Sequence, residues 1–167
     1  MTTEPWLSGP IAGVNTLLAP MFYTFEHTRQ ELAEKTAGLT AADLWARPHG
    51  MTPIGYHIRH LGGAIDRLAT YLRNESISSD QLAAAKAEGE PGASREELLA
   101  GMNAAMAACE AYVRTIDPAT LADARSVGRK QLPTTVHGLL VHLSEHTFRH
   151  VGQAVTTIKL VRAMQNS

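Results

Sequence analysis

The sequence predicts an all-α protein whose principal helices pack as a bundle, and three observations predict it. Residues 133–164 hold no proline after Pro133, and Val136, Leu140, Leu143, Thr147, Val151, Ala154 and Ile158 recur there at steps of three and four. That spacing marks the core-facing side of one long helix. Ile54, Ile58, Leu61, Ile65, Leu68 and Leu72 repeat the same alternation in a second segment, the pattern of helices packed side by side. No stretch alternates apolar and polar residues with a period of two, and no internal repeat or phosphate-cradling glycine loop is present.

The elements follow in chain order. Pro5, Gly9, Pro10 and Gly13 punctuate residues 1–19, which read as an N-terminal arm packed on the body, with Trp6 and Leu7 docked on it. Residues 20–167 then form a single domain, long enough to bury a core without disulfides. Pro20 suits the first turn of helix one, since its missing N–H costs nothing there, and Gly38 ends that helix near Thr36. Phe22, Phe25 and Leu32 supply its apolar side, and His27 reads as a polar residue at a helix seam. Thr40 caps a single turn over residues 41–45, closed by Pro48 and Gly50. Thr52 as cap followed by Pro53 opens helix two, which runs to about Leu72.

The connector over residues 73–93 is too long for a simple turn between antiparallel neighbours, so it is expected to cross the bundle, with a short helix over residues 79–87. Ser94 and Glu97 form a capping box that opens helix three, whose inner face is Leu98, Met102, Ala105, Met106, Cys109, Val113 and Ile116. Asp117 and Pro118 stop it. Residues 119–133 read as a second long loop holding Arg125, Arg129 and Lys130, and Thr134 or Thr135 caps the last helix.

Composition excludes several roles. Fifteen basic residues nearly balance sixteen acidic ones, so no net field draws nucleic acid or anionic membrane. The single cysteine, Cys109, cannot form an intrachain disulfide, which suits a reducing compartment. Residues 1–10 lack a basic region followed by an apolar run, and no 18 apolar residues are consecutive. A cytoplasmic protein with no membrane partner is expected. Exposed apolar helix faces on a bundle of this size lead us to expect a homodimer.

The chemistry concentrates in residues 142–153, where three of the eight histidines fall. His146 and His150 stack one turn apart on one face of the last helix, the spacing at which two imidazoles reach one metal ion. On a helical wheel they sit roughly 120° and roughly 80° from the centre of the apolar stripe, both on the same side, so they look along a seam between helices. Two histidines at this spacing are a weak signal without a third ligand. His57 and His60 lie on helix two, and His60 too flanks its stripe, with the small Gly63 and Ala64 one turn further on.

With His60-Leu61 in helix two and His146-x3-His150-Val151-Gly152-Gln153 in the last helix, the sequence resembles the DinB-like family of metal-binding four-helix-bundle proteins. Gly38-Leu39, the run from Leu44 through Trp45, Ala46 and Arg47 to Pro48, and the run Gly55-Tyr56-His57-Ile58-Arg59-His60-Leu61 are similar to that family as well. The resemblance spans roughly residues 20–164. It implies a four-helix bundle with a long crossover connection and a divalent metal held by His60, His146 and His150. His57 stands close enough to His60 to compete for the helix-two position.

Three imidazoles leave at least one coordination position open, as in catalytic rather than structural zinc sites. All-imidazole ligation suits zinc, nickel, iron or copper, with zinc or nickel foremost, and not a calcium or magnesium cage. Relatives include thiol-dependent S-transferases and an isomerase, so the resemblance implies a metalloenzyme acting on a small-molecule electrophile with a low-molecular-weight thiol. Gln153, His57, His142 and Glu145 are the candidates to orient the ligands from behind. The alternatives are a non-catalytic metal-dependent ligand-binding or stress-response protein, and a bundle whose histidines are only structural.

Overall fold

A computed structural model describes residues 3–165. Its elements are α1 (Ala19–Lys35), α2 (Ala41–Trp45), α3 (Ile54–Leu72), α4 (Ser79–Ala87), α5 (Arg95–Val113), β1 (Ala124–Val127), β2 (Leu132–Thr135) and α6 (Val136–Gln165). The four long helices α1, α3, α5 and α6 make the bundle. α3 packs against α5 and α6, and α1 against α6 and, more lightly, α5.

Named contacts give the helix directions. Arg162 on α6 donates to the carbonyls of Lys35 and Ala37 at the end of α1, so α1 and α6 run parallel. Arg95 at the start of α5 donates to Thr36 and to the Ala33 carbonyl, which sets α5 antiparallel to α1. Trp45, just ahead of α3, donates from Nε1 to the Ala93 carbonyl, just ahead of α5, at 3.0 Å. At the other end the Arg73 guanidinium lies over the Tyr112 ring. α3 and α5 therefore run parallel, and the order is up, down, down, up.

That order explains the long connector. Two parallel neighbours need a return path along their full length, and α4 supplies it. Gln81 donates to Asp66 and Thr70 near the end of α3, while Arg59 near its start donates to the Ala87 carbonyl. α4 therefore runs antiparallel along α3 and brings the chain back to its first turns.

Local chemistry sets most boundaries. Thr40, Ser78 and Ser94 each cap a helix through a capping box, satisfying N–H groups that the first turn leaves free. The apolar stripe of α6 is buried throughout, and that of α3 is buried except for half-buried Leu68. Phe25, Leu32, Leu44, Ile58, Leu61, Met106 and Leu143 form the centre of the core. At Gly62 an added Cβ would lie 3.3 Å from the Met102 Cα, so α3 and α5 approach closely there.

Four expectations are corrected. Residues 119–133 are not all loop, because β1 and β2 pair as an antiparallel hairpin with Ser126 opposite Pro133. Strands of four residues with a proline inside carry no period-two signal. In a two-stranded ribbon the proline can face the unpaired edge. Arg125 donates to the Leu72 carbonyl and pins the hairpin to the end of α3, while Arg129 and Lys130 stay exposed at its tip. The last helix accordingly starts at Val136, with the Thr135 hydroxyl accepting from the Gly138 N–H.

Pro53, not Thr52, caps α3, since its extended backbone precedes the first helical residue. Helix three stops at Val113, which leaves Ile116 half-buried beyond its end. Trp6 and Leu7 do not dock: they are 61% and 56% exposed, and Pro5 is the buried residue of the short 3-10 turn Pro5–Leu7. No helix among the described residues is long and apolar enough to cross a membrane.

Three predictions test this packing. A Cβ at Gly55 would lie 2.8 Å from the Trp45 ring, which is itself held by the Ala93 carbonyl and stacked against Arg59. Overpacking of about 1–3 kcal/mol should outweigh the helix-propensity gain of about 1 kcal/mol, so Gly55→Ala lowers stability in urea unfolding. Gly101→Ala, with open space at its Cβ, raises it by about 0.5–1 kcal/mol. Burial, helped by the Glu110 charge, pushes the Cys109 thiol up to about 12. At about pH 8 only about one thiol in ten thousand is then thiolate. A disulfide reagent should leave the native protein untouched and modify one thiol per chain after unfolding.

Candidate metal centre

The antiparallel seam of α3 and α6 builds the site. On α6, burial of Leu143, Thr147 and Val151 fixes the helix rotation, which turns His146 and His150 toward α3. Their ring centroids lie 4.6 Å apart, one above the other. On α3, burial of Ile58, Leu61 and Ile65 turns His60 toward the same point. Its centroid is 5.2 Å from that of His146 and 4.4 Å from that of His150. One ring nitrogen from each of the three lies within 4.8 Å of the others.

This donor set fits a divalent metal. Metal–nitrogen bonds of about 2.0–2.1 Å in a tetrahedron place two ligand nitrogens roughly 3.3 Å apart. His60 Nε2 and His146 Nε2 are 3.4 Å apart, long for a hydrogen bond between imidazoles and close to that chord. Burial, reinforced by the imidazoles of His150, His60 and His142 and by Arg149, pushes His146 down to about 4. Burial, then the charges of His60 and Arg149, does the same to His150, against an opposing pull from Glu88. Both rings are neutral near pH 7, the state in which an imidazole offers a lone pair.

The other histidines take separate places. His57 is 3% exposed and sits behind His150, with the two Nδ1 atoms 3.0 Å apart. Burial first, then repulsion from His150 and His60, pushes it down to about 4. His142 lies further along α6, its ring centroid 5.3 Å from that of His146, and pairs at 2.6 Å with Glu145. Glu145 also binds Arg149, so it forms an exposed ionic cluster with these two and does not hold a ring of the triad. Gln153 is exposed, and its side chain makes no hydrogen bond among the described residues. Two turns separate it from His146, an axial distance of roughly 10 Å that an amide side chain cannot span.

Beside His57, which meets His150, a second group that holds a triad ring was missed. Glu88, just past α4, accepts from His60 Nδ1 at 2.6 Å and from Arg67 at 2.7 Å. Burial raises the affinity of this carboxyl for its proton, but the bonds from His60 and Arg67 outweigh it, and the group is held below the usual carboxylate range. Tyr56 stacks on the His60 ring, nearly parallel at 9°. The small face at Gly63 is filled by this carboxylate and not by another helix. Spacing within α3 could have hinted at it, because His60, Gly63 and Arg67 place a gap beside a cation on one face. A cavity of about 460 Å³ between α3, α4 and α5 is lined by Glu88 and Gly63 but by none of the three imidazoles.

Comparison with known proteins agrees with the fold. A crystal structure of a conserved protein from Enterococcus faecalis aligns with a TM-score of 0.74 over 90% of this chain and 99% of that one. At 18% identity this likeness speaks to the fold alone. No curated protein matches. The family model of the DinB superfamily matches residues 24–154, from the second turn of α1 through all three imidazoles, and the chain therefore belongs to the DinB superfamily.

Proposed function

We propose that this protein is a metalloenzyme in which His60, His146 and His150 hold one divalent transition metal, with zinc or nickel the best fit and iron next. The observation that carries the reading is the meeting of three imidazoles from two helices, with the His60 and His146 nitrogens at 3.4 Å. Those three imidazoles would hold the ion with room for an outside ligand, and it would supply the Lewis acidity that lowers the pKa of a thiol or water.

The chain's own groups narrow the chemistry. Around the triad the ionised side chains are already engaged, Glu88 with His60 and Arg67, Glu145 with His142 and Arg149. The protein therefore binds and orients, and the nucleophile is brought by a second small molecule. A low-molecular-weight thiol added to a small electrophile, by transfer or with isomerisation, fits that division. The three rings are only half-buried, so small reactants reach them from solvent. The same lack of a free acid or base among these groups favours one alternative, a non-catalytic metal-dependent ligand-binding or stress-response protein. The homodimer belongs to this proposal too, through the exposed Leu17, Val141 and Phe148 on the α1–α6 face.

Elemental analysis after zinc or nickel loading and dialysis should find about one ion per chain. His60→Ala and His146→Ala should each abolish retention, whereas His142→Ala keeps it. Retention by both triad variants would sink the metal reading. Turnover of a thiol with an epoxide, halide or maleyl electrophile by the loaded protein supports the enzyme. Small-molecule affinity without conversion supports the alternative.

A further inference from the structure

We propose that Glu88 is the positioning residue of the metal centre, the carboxylate that orients His60, and that the connector between α3 and α5 is held in place to deliver it. The proposal rests on the three imidazoles being ligands.

The first support is what the connector buries. α4 has no buried residue, and among residues 73–93 Glu88 alone is buried, its side chain 7% exposed. A segment that docks for core burial sends in an apolar side chain. A buried carboxylate costs free energy unless it is fully paired. This segment sends in a charge and aims it at an imidazole.

The second is that both carboxylate oxygens are committed. Oε2 takes His60 Nδ1 at 2.6 Å and Oε1 takes Arg67 at 2.7 Å, so the group cannot rotate off the ring. An ionised carboxylate only accepts, which places the proton on Nδ1 and leaves the Nε2 lone pair facing His146. The surrounding backbone is clamped as well, with Arg59 donating to the carbonyls of both Ala87 and Glu90.

The third is the space kept for it. A Cβ at Gly63 would lie 2.5 Å from Glu88 Oε1 and 2.9 Å from an Arg67 guanidinium nitrogen. A side chain there forces Oε1 out of its present place. A carboxylate behind a ligating imidazole fixes the tautomer and ring angle, and loss of such a partner typically costs 10–100-fold in metal affinity.

The test uses the full chain with Glu88→Ala, Glu88→Gln and Gly63→Ala. Zinc affinity is read by competition with a chromophoric chelator, ring geometry by the visible spectrum of the cobalt form, and metal-free stability by thermal unfolding. The His60 tautomer is read by nitrogen-15 NMR of the metal-free protein at about pH 8. Glu88→Ala should weaken zinc about 10–100-fold and alter the cobalt spectrum. Glu88→Gln, which keeps an acceptor oxygen, should lose less, and Gly63→Ala should weaken zinc with the carboxylate still present. A purely structural Arg67–Glu88 pair predicts a lower metal-free melting temperature with zinc affinity within about threefold of wild type, and that result overturns the proposal. If Glu88→Ala does not fold, the same affinity criterion applied to Gly63→Ala decides. Wild-type protein that takes up neither zinc nor cobalt defeats the triad reading itself. The hold of Glu88 on His60 is still read then, since an unchanged tautomer in the Glu88 variants shows that no such hold exists.

Discussion

The antiparallel contact of α3 with α6 is the constraint on which the rest of the molecule depends. Each helix buries one aliphatic stripe, and that burial, worth roughly 1.5–3 kcal/mol for each large side chain, fixes its rotation about its own axis. Once the stripes are fixed, the flanking positions have no choice of direction. His57, His60, His146 and His150 all flank, and all turn into one seam, where neighbouring ring centroids stand 4.4–5.3 Å apart. Hydrophobic packing thus positions the polar site.

A second constraint follows from helix direction. Because α3 and α5 are parallel neighbours, the chain must travel back the length of α3 before α5 can begin. A return path has to be anchored somewhere, and α4 has no apolar face to anchor with. Polar bonds from Arg59, Asp66, Arg67 and Thr70 on α3 do the anchoring, and His60 is one of their number. The topology of the bundle and the surroundings of the candidate metal centre are therefore one problem, solved by one segment.

What could be read from the residues alone divides along the same lines. Period and capping located every long helix to within a few residues, and even α4, because those signals lie within a few positions of one another. The pair His146 and His150 was equally visible, being a single turn apart. The hairpin was not, since its register depends on pairing between two four-residue strands and Pro133 obscures one of them. Glu88 was not, because its meeting with His60 depends on the direction in which α4 runs, and nothing in residues 73–93 encodes that direction locally. Of the four candidates chosen by nearness in sequence, His57 meets His150, but His142, Glu145 and Gln153 hold none of the three rings. Nearness along one helix is a poor guide here: Gln153 is two turns away from His146, and Glu145, as the preceding residue, points roughly 100° away from it.

The same distinction explains why fold and site are so much more legible than reaction. A metal centre of this kind needs only direction from each side chain, and helix periodicity supplies direction. A reaction needs a group left free to act, and the charged groups nearest the triad are each spoken for by another charge or ring. If the nucleophile arrives with a substrate, as the proposed reading has it, then its identity is written in the shape and charge of the half-open face above the rings, and not in any catalytic residue. Specificity in such a protein would reside in side chains that touch the reactant and not the metal. Those side chains are free to differ between members that share the bundle and its three imidazoles.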